Sequence, residues 1–296
     1  KEERRLRIDN PPFGRLFEVV LANTFTTHPY RILPIGSIAD LDAATIEDVR
    51  EFHRVYYVPN NATLVVAGDF DPAQIRGWIE KYFAAIPKGG DIPRQIAQEP
   101  AQTAERRVTD TDSRTPLPAV ILTFHVPKEG DKELYALEVA SNILSSGQSS
   151  RLYRKMVYEQ QIALQAGGQS ITLEDPGVFW FYAIMQQGHT PAEGEKSLQE
   201  EIERLQTQPV STAELEKSKN QLIAGLVFGR QTVVDKADAI GHASVILGDW
   251  RMANRQLAEY QKVSAADVQA VANKYFRPQG RTVVTMLPAS KNEVKQ

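Results

Sequence analysis

The sequence predicts an α+β fold of two related layered domains, each an antiparallel-rich sheet packed with helices. Two observations lead there. One passage occurs twice, 219 positions apart (Thr45 to Ser264): residues 45–66 read TIEDVREFHRVYYVPNNATLVV, and residues 264–285 read SAADVQAVANKYFRPQGRTVVT. Elsewhere the strand signals meander while the helix signals cluster, which argues against an alternating parallel α/β sheet.

The two copies agree in physics as well as in letters. Asp48/Asp267, Val49/Val268, Tyr56/Tyr275, Pro59/Pro278, Thr63/Thr282 and Val65/Val284 are identical pairs. Each copy opens on a hydroxyl residue able to cap a helix. Each then runs an apolar stripe (Val49, Phe52, Tyr56; Val268, Val271, Tyr275), breaks at proline and ends in a short β-branched strand. Duplication accounts for the shared period and punctuation; a common helix–strand idiom is the other reading. With a unit of about 220 residues, the second copy fits between residues 104 and 288, and the first would begin roughly 110 residues ahead of Lys1. The expected division is 1–88 as the later part of a first domain, 89–105 as linker, 106–288 as the second domain and 289–296 as tail.

In chain order, residues 1–20 are charged with a helical pattern, and HPYRILPIGS (28–37) is a loop punctuated by Pro and Gly. The first repeat helix leads to an expected strand at Ala62–Ala67. Asp71-Pro72-Ala73-Gln74 starts another helix, with Asp as cap and Pro at the first helical position. The stretch from Lys88 to Arg106 is rich in Gly, Pro, Gln and Ala and reads as linker. Strands follow at Arg107–Thr111 and Ala119–Val126, then helices over 131–144 and 150–160. Two longer strands, Ala163–Leu173 and Gly177–Gln186, turn at Glu174-Asp175-Pro176. Gly167-Gly168 inside the first of these reads as a bulge. Helices then dominate, at 191–207, at 211–232 behind the capping box Ser211-Thr212-Ala213-Glu214, and at 233–247, before the second repeat helix and its strand.

Composition narrows function mainly by exclusion. At 296 residues and 42% hydrophobic, the chain can build one large or two medium cores. A net charge of −3 with both signs mixed offers no basic stripe for nucleic acid or an anionic membrane surface. Apolar runs reach only strand length, so no membrane span is expected. The absence of cysteine removes disulfides and thiolate chemistry. His28, His53, His125, His189 and His242 include no two four apart, so neither HExxH nor HxxEH occurs, and each reads as a packing or surface histidine. From the residues alone, function stays open.

A resemblance goes further. KEERRLRIDNPPFGRL, HPYRILPIGSIADL, FHRVYYVPNNATLVVAGDF and FAAIPKG resemble the later part of the catalytic domain in pitrilysin/insulinase-type zinc peptidases, the group that includes mitochondrial processing peptidase. GQSSRLYRKMVYEQQIAL resembles the same family's C-terminal domain, so the likeness covers nearly the whole chain. It implies a duplicated clamshell, hydrolysis of peptides or unfolded chains by a zinc-polarised water, and substrate added as a strand to a sheet edge. In that family two His and the catalytic Glu form HxxEH on a helix, and a Glu further along is the third ligand. In register, HxxEH falls ahead of Lys1, Glu3 matches the third ligand, and Glu2 stands before it. The chain by itself is therefore expected to be inactive and without bound zinc.

The resemblance also exposes a departure. The family's C-terminal domain carries an Arg and, seven residues on, a Tyr that reach the substrate carbonyl. Those positions are Val157 and Leu164 here, and neither side chain donates a hydrogen bond. Arg151 and Arg154, nearby, read as helix-surface or salt-bridging residues. The expectation is the zinc-bearing subunit of an unlike pair whose homologous partner brings Arg and Tyr; the alternative is a non-catalytic scaffold of the same fold. Related bacterial proteins are often exported, so the periplasm is the expected compartment.

Overall fold

The computed structural model describes residues 1–94 and 97–289; positions 95–96 of the expected linker and 290–296 of the expected tail lie outside the described residues. The chain begins with α1 (Glu2–Arg4), which continues as a π-helical turn over Arg5–Asp9. Then come α2 (Leu16–Thr24), α3 (Ile38–Ala43), α4 (Ile46–Tyr56) and α5 (Pro72–Phe83). The middle of the chain forms β1 (Arg106–Asp112), β2 (Ala119–His125), α6 (Glu133–Ser145), a π-helical segment (Tyr153–Glu159), β3 (Ala163–Ile171) and β4 (Val178–Met185). The remainder is α7 (Pro191–Thr207), α8 (Thr212–Phe228), α9 (Val233–Val245), α10 (Met252–Lys262), α11 (Ala265–Tyr275) and β5 (Arg281–Pro288).

These elements form two compact units, Lys1–Ile35 with Ala97–Ala224 and Leu257–Gln296, and Gly36–Ile96 with Gly225–Gln256. The units are not the two halves of the chain that a division at 89–105 draws. The reason lies in α2, whose apolar side packs on the sheet built by the later half. That sheet has the order β1-β5-β2-β4-β3, with β1 parallel to β5 and every other pair antiparallel.

The first unit has three layers. On one face Leu16 and Val20 of α2 bury against Ala119, Ile121, Val284 and Met286, and the Thr24 and Thr123 hydroxyls meet at 2.8 Å. On the other face lie α6, α7 and α11, where Phe276 packs its ring at 5.3, 4.8 and 5.1 Å from those of Phe124, Phe179 and Phe181. Covered on both faces, β2 can be almost continuously apolar. Each large side chain buried here contributes about 1.5–3 kcal/mol. A methyl built on Gly194 of α7 would sit 2.5 Å from Met185 Sδ, so α7 lies close on the sheet because that residue has no side chain.

The sequence reading of Gly167-Gly168 as a bulge is corrected by the register. The shift falls between Ala163 and Gln165, which makes Leu164 the extra residue. The glycines are required instead by rings crossing the strand. A Cβ at Gly167 would stand 2.9 Å from Tyr182 Cε1, and one at Gly168 would stand 2.8 Å from Phe181 Cδ1.

The second unit holds α3, α4, α5 and α9 and, among its described residues, no strand. The expected strand at Ala62–Ala67 is extended at Ala62 (φ −125, ψ 142) but pairs with no strand among the described residues, and a strand is stabilised by its ladder. The repeat itself is geometric. Thr45/Asp48 and Ser264/Asp267 form capping boxes on α4 and α11, with N-cap φ/ψ of −104/164 and −103/166. Each helix is followed by a 3-10 turn, Pro59–Asn61 or Pro278–Gly280. The copies then part: one enters β5 between β1 and β2, while the other leaves Leu64 exposed. Likewise Val268 and Val271 are buried, whereas Val49 and Phe52 face outward.

Candidate functional site

Glu3 sits on α1 with its carboxylate pointing to solvent, 67% exposed and 3.1 Å from Arg7 Nε. Glu2 pairs with Arg5. The turn is oriented by Arg4, which is buried and donates to both oxygens of Glu18 on α2 at 3.1 Å. Anchoring Arg4 inward leaves its neighbours outward. Among the described residues, no group of three or more His, Asp or Glu is gathered to hold a metal. Zinc takes four ligands, three of them from protein even at an open catalytic site. A single exposed carboxylate cannot hold zinc by itself, so no zinc-dependent step follows from the described residues alone.

The histidines serve local packing. His28 is buried; its Nδ1 accepts the Tyr30 N–H at 3.2 Å, so Nε2 carries the proton and donates to Asp175 at 3.2 Å. His125 Nε2 donates to the Thr24 carbonyl at 3.1 Å, and burial holds its pKa below the usual value. His53 stacks on Tyr57 with ring centroids 4.8 Å apart, and His189 pairs with Glu193 at 3.2 Å.

Val157 is half-buried within the π-helical segment, and Leu164 is the exposed bulge residue at the start of β3. Both positions lie where the backbone departs from regular geometry. Such π-turns and bulges re-aim a side chain and recur beside functional sites. Here the side chains they present are aliphatic.

Beside them lies a polar cluster: Arg151 and Arg154 form ion pairs as their sequence reading allowed, but nothing in the sequence joined them to Glu201 and Glu214. Arg151 Nε and Nη2 donate to the two oxygens of Glu214 at 2.7 and 3.0 Å. That contact, with further bonds from Ser211, holds the Glu214 carboxyl down to about 2. Arg154 pairs with Glu159 at 3.3 Å, and Lys155 with Glu200 at 2.7 Å and Glu201 at 3.4 Å. These groups, Glu200 excepted, border a cavity of about 680 Å³. Its lining comes from three separated stretches of chain, so no local motif announces it.

A second feature without a sequence signal is Glu99, within the expected linker. Its carboxylate accepts the N–H groups of Thr26, Thr27 and His28 at 2.7, 2.9 and 3.0 Å, and the Thr26 hydroxyl at 2.7 Å. Burial acts to raise its pKa, but these donors outweigh burial and hold it at about 2.

A five-stranded sheet covered by helices on both faces defines a layered α+β domain. The chain belongs to the peptidase M16 family: the family's sequence model for the peptidase M16 inactive domain matches residues 43–222. Zinc protease PqqE of Helicobacter pylori is 30% identical over 97% of this chain and 65% of its own length. An uncharacterized zinc protease of Streptomyces coelicolor, SCO5738, is 25% identical over 80% of this chain and 52% of its own. A crystal structure of a protease from Helicobacter pylori superposes with a TM-score of 0.91 at 28% identity, over 97% of this chain and 69% of that one. A peptidase M16 inactive domain from Pseudomonas fluorescens shares the fold, with a TM-score of 0.81 at 17% identity over 95% of this chain and 66% of that one. The chain thus spans less than two-thirds of the length of these two curated relatives.

Proposed function

We propose that this chain is the non-catalytic later portion of a longer zinc metalloendopeptidase acting on peptides or unfolded chains, with its zinc held ahead of Lys1 and Glu3 as the third ligand. The observation that carries this reading is the unequal fate of the two repeat copies. In the first unit the helix stripe and the strand of the repeat are buried in a sheet. In the second unit the same idiom leaves Phe52, Leu64 and Phe83 lining an open apolar groove of about 920 Å³. An exposed apolar surface of this kind marks a place where more polypeptide packs. Relatives bearing the name zinc protease are longer than this chain, the matched regions covering 65% and 52% of their length.

In that reading the protein is one subunit of an unlike pair. Val157 and Leu164 cannot stabilise a developing oxyanion, so a homologous partner supplies the Arg and Tyr. An exported, periplasmic location goes with this proposal, to be checked by cell fractionation.

The test begins with the coding sequence ahead of Lys1, where HxxEH is expected. The longer protein, purified with zinc, should lose metal on Glu3→Gln. It should cleave an unfolded peptide poorly alone and gain activity with a homologous subunit, or with Val157→Arg combined with Leu164→Tyr. A longer protein without HxxEH that binds no zinc would establish the scaffold reading instead. Full activity as a lone chain would remove the partner.

A further inference from the structure

We propose that the polar cavity between the π-helical segment Tyr153–Glu159, α7 and the start of α8 receives the C-terminal carboxylate of a peptide, together with the last backbone N–H beside it. The argument starts from two orphaned atoms. Arg151 and Glu201 both line this cavity of about 680 Å³, and their side chains are only 8% and 5% exposed. Arg151 engages Glu214 through Nε and Nη2, which leaves Nη1 buried without a hydrogen-bond partner. Glu201 meets Lys155 and Arg204 through Oε1, at 3.4 and 3.8 Å, which leaves Oε2 buried and equally unpartnered. Native proteins leave few such groups unsatisfied, and one charged donor with one charged acceptor at a single cavity is a pattern a ligand can complete.

The surrounding charges define that ligand. Arg154 is matched by Glu159, Lys155 by Glu200 and Glu201, and Arg151 by Glu214. Arg204, half exposed, has among the described residues only the already shared Glu201 at 3.8 Å. Among the lining residues, the cations Arg151, Arg154, Lys155 and Arg204 face only three carboxylates, Glu159, Glu201 and Glu214. The cavity therefore favours one negative charge, while Glu201 Oε2 asks for a hydrogen-bond donor close to it. Inorganic phosphate has the charge and an O–H but not a planar carboxylate with an N–H at a fixed offset, and an ammonium would face the surplus cation. A chain terminus carries a carboxylate and an amide N–H about one residue apart, and guanidinium groups suit planar carboxylates. The site uses no metal, so its test stands apart from the metallopeptidase reading.

The experiment is a calorimetric titration of the chain with N-acetyl-alanyl-alanine, its C-terminal amide, acetate and inorganic phosphate. The acid should bind, with the amide, acetate and phosphate each weaker by about tenfold or more. Arg204→Ala should weaken the acid by a similar factor without moving the melting temperature, because that side chain is half exposed. Glu201→Gln should narrow the gap between the peptide acid and acetate. Equal binding of acid and amide would overturn the proposal. So would acetate or phosphate matching the peptide acid, since a bare anion would then suffice. Absence of saturable binding up to about 20 mM would show a cavity that holds water only.

Discussion

Single carboxylates in this chain are held in opposite senses by their surroundings. Glu99 collects three consecutive backbone N–H groups and a hydroxyl, and its pKa falls to about 2 from an ordinary 4.5. A group depressed in the folded state stabilises fully above its unfolded pKa and loses that contribution as pH falls through the folded one. Glu99→Ala should therefore cost about 1 kcal/mol at pH 7, a value that allows for solvent screening of a half-buried carboxylate. In urea unfolding the gap between the two proteins should close as pH drops from 4.5 toward 2. Glu138 behaves in reverse. Burial raises its pKa against the opposing bond from the Tyr260 hydroxyl, with repulsion from Glu129 adding to the rise. Its neutral form is the one the fold favours, so ionisation becomes destabilising as pH rises above the unfolded value. Glu138→Gln, which keeps an acceptor for Tyr260, should melt higher than the parent at pH 8 and equal it near pH 4. Neither environment could be read from the sequence. Glu99 sits in a Gln- and Pro-rich stretch that looks like plain linker, and its donors come from residues more than 70 positions away.

Helices were legible where their first turns carry a hydroxyl and an acid three residues apart. Thr45/Asp48, Thr190/Glu193, Ser264/Asp267 and Ser211/Glu214 all form the reciprocal bonds that this spacing promises. α10 lacks that pair, and α3 is only one turn and a half, so both escaped notice. Strands were legible where a partner exists. Ala62–Ala67 has the same β-branched character as Arg281–Pro288, yet only the latter has neighbours to pair with, because strand propensity is largely a measure of packing on a sheet. Glycines were visible as exceptions but not explained, since the rings and helices that crowd them are distant in sequence. Gly194 makes the point testable. It allows α7 to lie against Met185 and Val120, where an added methyl would sit 2.5 and 3.0 Å away. Gly194→Ala gains helix propensity, yet overpacking should dominate and destabilise the chain by about 1–3 kcal/mol. Equilibrium urea unfolding measures that balance, and an unchanged midpoint would mean the Met185 side chain swings clear.

For the molecule as a whole, the duplication was readable because local punctuation repeats, whereas the partition of the chain into compact units was not. The stripe Leu16–Val20 can serve any sheet, and nothing local says that it covers the one built after residue 105. That partition leaves the two units with unequal means of stability. The first has a five-stranded sheet buried on both faces, including a β2 with six consecutive buried residues. The second has helices α4 and α5, neither with a fully buried residue, and exposes Val49, Phe52, Trp78 and Phe83. Local opening free energy follows buried apolar contact, so the second unit should open well before the first. Amide hydrogen exchange on this chain should therefore show α4 and α5 losing protection early, while α6, α11 and β2 exchange only with global unfolding. In the longer protein proposed above, the groove beside Phe52 and Leu64 would be filled and α4 should rise toward the protection of its repeat counterpart α11. If α4 exchanges equally fast in both, added polypeptide does not cover that groove, and the reading built on the unequal repeat copies loses its support.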